Sequence, residues 1–516
     1  MKFKNFLKLI LLLSLAAIVA ACSSNSSQTN KSKDETSSTD GSPQQGGEIV
    51  IAYYTDVTNY DPLLGGGGSD HPLLWPVYDT LIKFTPELEP EPGLAEKWEF
   101  LDDTTLVLYL REGVTFHDGT PFDAEAVKFN IERANSEESN VSDLQVVEKV
   151  EIVDTHVVEL HLKNPDSSIL LKLSDRGGMM VSPTAFEEGD LSQNPVGAGP
   201  YKVANRIPNS EITFEAYKDY WQEGQPYLDK MIIKIMEDEN ARINALKSGE
   251  VDFAENITAG NVATLESDPD LVVEDVMAVT FRMIYLNTSI PPMDNKAVRL
   301  AIQHAIDREA IIEGVNFGMG EPANTPFPKS YWASDPDMVI EYDPEKAKQI
   351  LADAGLENVK FKMNQHANAH ETKIAEAIKA QLAEIGIEVD LQVMEINAST
   401  ASFFTEKKVE ASLSRWTGRP DPQMTIDYLF SSDSFYNTGG HSTTEIESLI
   451  AEAAATYDQE KRAELYKEIS KKAILEEAIA IPILFEPRIS AMNKKVGGFE
   501  PNMQGKPVFS TIWMEQ

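Results

Sequence analysis

Residues 370–393 read HETKIAEAIKAQLAEIGIEVDLQV, and the spacing of their apolar residues changes once, at Gly386. Before that glycine, the apolar residues recur with helical spacing at Ile374, Ile378, Leu382 and Ile385. After it they alternate, as in a strand, at Ile387, Val389, Leu391 and Val393. A helix followed within one or two residues by a strand is typical of α/β domains. The sequence therefore predicts an α/β fold.

Patterns elsewhere in the chain fit the same fold class. Asp343 and Pro344 fit the N-cap and the first position of a second amphipathic helix, which would end at Gly355. A nearly continuous apolar run at residues 49–54 predicts a strand that is buried on both faces. Alternating apolar residues at 104–110 and 157–162 predict strands with one buried face. Residues after about 286 look like a second domain.

Length and composition describe an ordinary globular protein of more than one domain. A chain of 516 residues exceeds what one hydrophobic core usually serves, so two or three domains are expected. The formal net charge of −38 disfavours nucleic acid as a partner. The single cysteine, Cys22, excludes disulfides within the chain, and nothing after it could supply a thiolate zinc site or a cysteine nucleophile.

The N-terminus has the features of an export signal. Lys2, Lys4 and Lys8 precede an apolar run that ends in Val19-Ala20-Ala21-Cys22, and small residues before a cysteine fit a cleavage site. This ending resembles the lipobox of bacterial lipoproteins. The resemblance implies that Cys22 becomes the lipidated N-terminus of the mature protein; the alternative is a plain secretory signal with an incidental cysteine. Residues 23–47 are polar and lack apolar periodicity, which predicts a flexible tether.

Motifs for catalysis or for metal binding are not convincing. The sequence has no GxSxG elbow, HExxH, EF-hand loop or P-loop, so neither an enzyme nor a cofactor is indicated. Gly65 to Gly68 lack the residues of a phosphate-binding loop and predict a mobile or close-approach loop. His366 and His370 would share a face if both lay on one helix, beside Glu371, and could then bind a divalent metal. A solvated polar segment at a helix start is the favoured interpretation, and no metal site is predicted.

Several spaced motifs resemble those of a known family. They are Gly93–Trp98 (GLAEKW), Leu110–Phe122 (LREGVTFHDGTPF), Val127–Phe129, Pro195–Tyr201 (PVGAGPY), Asp219–Trp221, Ala241–Phe253 and Asp294–Asp307. In this order they resemble the family five extracellular solute-binding proteins, the dipeptide, oligopeptide, nickel and glutathione receptors of ABC importers. The turn formers at His117-Asp118-Gly119 and Thr120-Pro121 predict a structural loop rather than a ligand contact.

The resemblance implies a two-lobed fold like that of type II periplasmic binding proteins. Lobe I would comprise residues 48–285 plus 486–516, with an inserted subdomain, and lobe II residues 286–485. The chain would cross between the lobes twice. Ligand would bind in the cleft between the lobes, which would close by bending at the two crossings.

The same resemblance places the ligand-binding residues mainly in the segment Ser414–Pro422. In peptide receptors a matching aspartate holds the ligand's α-amino group, which implies that role for Asp421, with Trp416 and Arg419 beside it. Independently, arginine can bind a carboxylate, aspartate an ammonium and tryptophan an apolar side chain. The alternative is an Arg419–Asp421 ion pair that fixes the loop. The full set of predicted ligand-binding residues is Arg415, Trp416, Arg419, Asp421, Tyr54, Ser69, Asp70 and His441.

The expected function is therefore capture of a short peptide, either a di- or oligopeptide or a glutathione-like one, for delivery to an ABC permease and its ATPase. A metal or metal-chelate receptor of the same class, through His366, His370 or His441, is the alternative, and an extracytoplasmic enzyme or chaperone is a third. The expected protein is a monomer that does not bind nucleic acid and is held on the membrane by lipid on Cys22. Ser23 and the long tether favour a Gram-positive outer leaflet over a periplasmic location.

Overall fold

The computed structural model describes residues 42–65 and 68–516. The predicted signal peptide with Cys22, most of the tether, and two glycines of the predicted loop at 65–68 lie outside the described residues. In the part of the chain that is described, no helix combines the length and the apolar character that a membrane span requires.

The described strands alternate with helices along most of the chain. In chain order they are β1 (Glu48–Tyr53), β2 (Ile82–Phe84), β3 (Pro90–Pro92), β4 (Ala95–Asp102), β5 (Thr105–Leu110), β6 (Val147–Asp154), β7 (Val157–Leu162), β8 (Tyr201–Ile207), β9 (Glu211–Ala216), β10 (Lys230–Ile235), β11 (Phe253–Ile257), β12 (Leu271–Leu286), β13 (Glu321–Pro322), β14 (Lys360–His366), β15 (Glu388–Met394), β16 (Ala411–Trp416), β17 (Ala480–Asn493), β18 (Val496–Gly497) and β19 (Trp513–Met514).

The described α-helices are mostly short. They are α1 (His71–Leu74), α2 (Ala124–Ala134), α3 (Ile169–Lys172), α4 (Pro183–Glu188), α5 (Glu239–Ser248), α6 (Ala259–Glu266), α7 (Lys296–Ala305), α8 (Arg308–Val315), α9 (Pro344–Asp353), α10 (Ala369–Glu384), α11 (Ile396–Thr400), α12 (Pro422–Phe430), α13 (Thr444–Ala454) and α14 (Gln459–Ser470). Two 3₁₀ turns (Gly68–Asp70, Arg176–Gly178) and two π-helical turns (Ala401–Thr405, Lys471–Glu476) complete the described helical segments.

Helix α10 and strand β15 confirm the helix-to-strand prediction for residues 370–393. The Asn368 side chain caps α10 by accepting from the Glu371 backbone N–H, and Gly386 follows the helix with φ +83°, a backbone conformation that favours glycine. The predicted helix after Asp343 is α9, whose N-cap Asp343 accepts from Lys346 N. The strands predicted at 49–54, 104–110 and 157–162 are β1, β5 and β7.

A large mixed sheet of eleven strands connects the two halves of the described chain. Its order is β15-β14-β16-β12-β17-β11-β1-β10-β9-β8, with β13 paired to β17. On the β12–β16 half, one face packs against α12, α13 and α14 through Phe281, Trp416 and Tyr466. The opposite face packs against α7 and α10, for example through Ile284, Ile302 and Ile378. Burial on both faces explains the apolar runs in these strands.

The central pair of strands contains a bulge. Strands β12 and β17 are antiparallel neighbours, but their register shifts between the pairs Met277–Pro487 and Phe281–Phe485. Ala278 to Thr280 therefore lie opposite the single residue Glu486. Val279 donates its backbone N–H to the Met503 carbonyl at 2.7 Å instead of to the ladder. A bulge of this kind bends a strand and redirects its side chains, and such bulges occur often beside binding sites.

A separate antiparallel sheet, β4-β5-β7-β6, packs with α2 around its own apolar core of residues such as Leu108, Val127 and Leu160. Its position in the chain, between β1 and β8, is that of the subdomain expected within the first lobe.

The predicted structural turn at His117-Asp118-Gly119 is confirmed. The Asp118 carboxylate accepts from the backbone N–H of Thr120 at 2.9 Å, and His117 Nε2 donates to the Gly199 carbonyl at 2.8 Å. Burial lowers the pKa of His117 from 6.5 to about 4.

This His117 environment predicts a stability loss in mild acid. Because the pKa is lower in the folded protein, the unfolded chain takes up the proton first, and stability is lost as the pH falls from about 6.5 towards 4. We expect His117 to contribute about 2 kcal/mol of the loss between about pH 7 and pH 5. Urea unfolding measures the free energy of unfolding at each pH. Its decrease from about pH 7 to pH 5 should be smaller in His117→Gln than in the parent, by about 2 kcal/mol. Parallel pH profiles for parent and variant would show that His117 does not cause the loss.

Candidate ligand-binding site

A cavity lies where the carboxyl ends of strands from both halves of the large sheet meet. It is lined by residues 256–259 at the end of β11 and the start of α6, by Arg415 of β16, by His370 at the start of α10, and by β12 and β17 around the bulge. Ligands of open α/β proteins bind in crevices at the carboxyl ends of strands. This cavity is therefore the candidate ligand-binding site.

Arg282 is held on the cavity wall by two carboxylates. Its Nη1 donates to Glu371 at 2.6 Å and its Nε to Glu486 at 2.8 Å. His370 hydrogen-bonds to the second oxygen of Glu486. Burial opposes ionisation of Glu486, but Arg282 and His370 hold the pKa of that carboxyl well below its usual value. The charge of Arg282 is therefore neutralised by the protein itself.

Arg488 is paired in a similar way on the other side of the bulge. It donates to the Glu255 carboxylate at 2.9 Å and to the Asn256 side chain at 3.1 Å. Burial opposes its charge, yet Glu255 and Tyr54 hold the pKa of Arg488 above its usual value. Tyr54, a predicted ligand-binding residue, directly follows β1 and does not line the cavity.

Arg415 differs from its two neighbours because no carboxylate among the described residues forms an ion pair with it. Among the described residues, no carboxylate or other acceptor forms an ion pair or hydrogen bond with its guanidinium, although it lines the same cavity. Burial, together with repulsion by Arg488 and Arg282, lowers the pKa of Arg415 to about 10, although Tyr54 and Glu486 oppose this change. An anionic ligand group at Arg415 would supply the missing counter-charge.

Two helix N-termini reinforce the preference for an anion. Thr258 and Ala259, the N-cap and first residue of α6, line the cavity, as does His370 near the start of α10. Backbone N–H groups of a helix's first turn lack acceptors within the helix and carry a partial positive charge. A carboxylate in the cavity would therefore lie among an unpaired arginine and two positive helix ends.

The structure separates the residues predicted in the segment Ser414–Pro422. Arg415 lines the cavity, whereas Trp416 is only 2% exposed, packs in the core, and donates to Thr425. Arg419 points to another part of the cleft, where its Nη1 lies 4.0 Å from Asp175 and its guanidinium 5.0 Å from the centre of the Tyr428 ring.

Asp421 does not pair with Arg419, as the structural alternative had supposed, but with Arg462. Its carboxylate accepts from Arg462 Nη2 at 2.5 Å and, as the N-cap of α12, from the backbone N–H of Gln423 at 2.8 Å. The side chain is buried with 2% exposure and does not line the cavity. These contacts satisfy the carboxylate within the protein and support the start of α12, and a ligand contact of Asp421 stays a prediction.

The remaining predicted residues have different surroundings. Ser69 lies in the turn beside Gly68, which packs against Thr417, so this turn reaches the 414–422 segment. Asp70 is buried and binds Arg176 at 3.1 Å and the Thr58 hydroxyl at 2.6 Å. His441 hydrogen-bonds to Glu477 at 3.0 Å and does not line the cavity. Asp70 therefore forms an ion pair within the protein, and His441 a hydrogen bond within it.

The two histidines considered as a metal pair do not share a helix. His366 ends β14, and α10 begins only at Ala369. His366 Nδ1 lies 3.7 Å from Glu371, while His370 turns to Glu486. Within residues 42–65 and 68–516, no three His, Cys, Asp or Glu side chains converge as a metal site requires.

Sequence reasoning missed Arg282, Glu486 and Arg488. Each interrupts an otherwise apolar strand, at Phe281–Met283 in β12 and at Phe485–Ile489 in β17. A charge inside a strand that is buried on both faces must be paired or functional. Charged residues within these apolar strands could therefore have identified Arg282, Glu486 and Arg488 as candidate site residues from the sequence.

Comparisons with known proteins identify relatives over most of the chain. The sequence profile described as bacterial extracellular solute-binding proteins, family 5 Middle, matches residues 89–437. The glutathione-binding protein GsiB of Salmonella paratyphi A is 29% identical over 473 residues, which cover 88% of this chain and 91% of that protein.

Two solved structures extend the comparison to the fold. The periplasmic binding protein DppA from Helicobacter pylori, in complex with the peptide STSA, matches with a TM-score of 0.82 at 26% identity, covering 92% of this chain and 99% of that chain. A dipeptide binding protein from Pseudoalteromonas sp. SM9913, in complex with Met-Leu, matches with a TM-score of 0.81 at 25% identity, covering 91% and 100%. The predicted two-lobed α/β fold is thereby confirmed.

Proposed function

Because the chain belongs to family 5 of the bacterial extracellular solute-binding proteins, which are the receptors of ABC importers and not enzymes, we propose that it captures a short peptide in the cleft between its lobes. The peptide then passes to the membrane permease, whose ATPase drives import. Support for a peptide comes from relatives: GsiB is a glutathione-binding protein, and two structural neighbours hold the peptides STSA and Met-Leu.

The observation that carries the proposal is the unpaired guanidinium of Arg415. Every unblocked peptide ends in a carboxylate, which can form two parallel hydrogen bonds with an arginine. Arg282 and Arg488, already paired, cannot compete for it. We therefore assign the ligand's terminal carboxylate to Arg415, with the amides that begin α6 beside it.

Closure of the lobes would follow from the bulge in β12. We propose the lobes at residues 48–285 plus 486–516 and at 286–485, so that the chain crosses between them within β12 and β17. The register shift at Ala278–Thr280 gives these strands a point at which to bend. Ligand contacts made only in the closed form would shift the population towards it.

Identification of the bound ligand tests the function directly. Native mass spectrometry of protein purified without denaturation should show a peptide-sized ligand. Calorimetry on stripped protein should show binding of short peptides with a free C-terminus and much weaker binding of the same peptides as C-terminal amides. Equal binding of acids and amides would contradict the role given to Arg415, and no binding of any peptide would contradict the function.

We also propose that Cys22 carries the lipid that anchors this protein, as a monomer, to the outer face of the cell membrane. The support is the sequence Val19-Ala20-Ala21-Cys22 and the polar tether behind it. The Cys22→Ser variant should then appear folded in the medium or the periplasm. Its retention in the membrane fraction after a salt wash would contradict the lipid anchor.

A further inference from the structure

The connection between α13 and α14, residues 453–459, belongs to lobe II of the proposed division and contacts lobe I. The last carbonyl groups of a helix have no N–H partner within that helix. Ser167 of lobe I supplies donors to the end of α13. Its backbone N–H donates to the Ala454 carbonyl at 2.8 Å, and its hydroxyl donates to the Ala453 carbonyl at 3.2 Å. A residue of one lobe therefore caps a helix of the other.

Tyr457 makes a second contact between the same connection and lobe I. Its hydroxyl donates to the Asp103 carbonyl at 2.8 Å, in the turn between β4 and β5. The centre of its ring lies 4.8 Å from that of Phe100 in β4. Aromatic pairs at this separation add to the stabilisation from buried area, and the hydrogen bond fixes the direction of the contact. Tyr457 thus attaches the connection to the separate four-stranded sheet.

The turn between β2 and β3, residues 85–89, makes a third contact with lobe II. The Glu89 carboxylate accepts from Gln459 Nε2 at 2.9 Å. Leu88 is only 1% exposed and lies in the same apolar core as Phe327 of lobe II. Leu88 has φ +69°, a backbone conformation that side chains other than glycine rarely adopt. Such a conformation persists where the surrounding contacts hold it, and it often marks a functional part of a protein.

The same turn is hydrogen-bonded to the bulge in β12. Val279 of the bulge donates to the Met503 carbonyl at 2.7 Å, and the Met503 N–H donates to the Pro86 carbonyl at 2.8 Å. Met503 therefore joins the point at which β12 can bend to a turn that contacts lobe II. Bending at the bulge would move this turn as well.

The three contacts lie outside the candidate ligand-binding cavity. The cavity wall does not include the residues that form them, namely Glu89, Phe100, Asp103, Ser167, Tyr457 and Gln459. The contacts therefore do not depend on which ligand the cavity holds. The apparent affinity of a receptor scales with the fraction of empty molecules that are in the binding-competent form. Contacts that stabilise the closed form thus raise the affinity for all ligands by one factor.

We propose that residues 453–459 form a latch that holds the two lobes together in the absence of ligand. The proposal rests on the peptide-binding function above and names the regulation of the same site. The latch sets the fraction of empty protein that is closed, and therefore how tightly every ligand binds. The cavity alone determines which ligand is preferred.

Loss of the Tyr457 contact tests the latch through affinity. In Tyr457→Ala the affinities for tri-alanine and for Met-Leu should both fall at least about fivefold with their ratio unchanged, because a hydrogen bond and a ring contact of the closed form are lost. Tyr457→Phe keeps the ring and should show a smaller loss. Calorimetry with the full-length Cys22→Ser protein measures these affinities. Tyr342→Ala is the matched control, since Tyr342 is a lobe II tyrosine of similar exposure, 43% against 37%, that lies before α9 and outside the latch.

Cross-linking measures the closed population without a ligand. Glu89 and Gln459 are exposed and their side chains meet at 2.9 Å, so cysteines at both positions would lie within reach of a short thiol cross-linker when the lobes are together. Apart from Cys22 the chain has no cysteine. In Cys22→Ser with Glu89→Cys and Gln459→Cys, the empty protein should cross-link at no less than about a third of its rate with saturating tri-alanine. Adding Tyr457→Ala should slow the reaction of the empty protein at least about fivefold, and tri-alanine should restore it.

The outcomes separate the latch from the peptide-binding function. Cross-linking that requires peptide, or an equal rate in the empty protein with and without Tyr457→Ala, would overturn the latch while peptide binding stands. A loss of affinity for one peptide alone would also overturn it, because Tyr457 would then act on ligand choice. If the parent binds no peptide but the empty protein cross-links as expected, the function fails and the latch stands. Thermal unfolding checks that Tyr457→Ala is folded; if it is not, the cross-linking rate of Tyr457→Phe, equal to or slower than that of the parent, decides against or for the latch.

Discussion

The Arg415→Gln variant should fold normally and bind short peptides at least about thirtyfold more weakly than the parent. Removing one partner of a buried charge pair between a protein and its ligand costs about 2–5 kcal/mol, and each 1.4 kcal/mol is about a tenfold change in affinity. Among the described residues that line the cavity, Arg415 is the arginine without a carboxylate partner, since Glu371 and Glu486 pair with Arg282 and Glu255 pairs with Arg488. Calorimetry with a peptide acid measures the loss.

The thermal stability of Arg415→Gln distinguishes a ligand-binding role of Arg415 from a structural role. In the unliganded protein Arg415 is partly buried and repelled by Arg282 and Arg488, so its removal should raise the melting temperature. Arg111→Gln is the control with the same chemical change. Arg111 directly follows β5 in the separate four-stranded sheet and does not line the cavity, so this variant should keep full affinity. A lower melting temperature with unchanged affinity in Arg415→Gln would show that the residue supports the fold instead.

Breaking the Asp421–Arg462 pair should be the most destabilising single change considered. Both side chains are buried, at 2% and 7% exposure, and removal of one partner of a buried ion pair costs about 3–5 kcal/mol. Arg462→Met should show this loss in chemical unfolding. Asp421→Asn keeps a side chain that can cap the helix but removes the charge, so its free energy of unfolding should fall by a similar amount. The double variant should lose clearly less than the two single losses combined.

Ligand chemistry provides the second arm of this test. If Asp421 only supports α12, acetylating the ligand's ammonium will weaken binding equally in the parent and in Asp421→Asn. If acetylation instead costs the parent far more than the variant, Asp421 contacts the ammonium, as the sequence had predicted.

Local patterns predicted the secondary structure well because its causes are local. The apolar period, the cap at Asn368 and the glycine at 386 all lie within the stretch they determine, and α10 and β15 follow them closely. The family resemblance then supplied the two-lobed arrangement, which no periodicity contains. Of the segment Ser414–Pro422, the structure brings Arg415 to the wall of the cavity, and its role in ligand binding stays a prediction.

The ion pairs were not predictable in this way because their partners are distant in sequence. Asp421 meets Arg462 of α14, and Arg282 meets Glu371 and Glu486. The sequence of the segment Ser414–Pro422 shows that it contains charged side chains. It does not show which of them form ion pairs with other parts of the folded protein. Only the packed structure reveals that Arg415 has no ion-pair partner among residues 42–65 and 68–516, while Arg282 and Arg488 are paired.

The position of β17 also sets the order in which a growing chain can complete its structure. β17 is the only described strand that joins β12 to β11, so until residues 480–493 are synthesised the large sheet consists of two pieces with open edges. Open edges expose an incomplete chain to pairing with other chains. Residues 502–506, whose Met503 carbonyl accepts from Val279 of the bulge, are made later still. The two pieces of the sheet are therefore joined, and the bulge is completed, only after these last segments have been made.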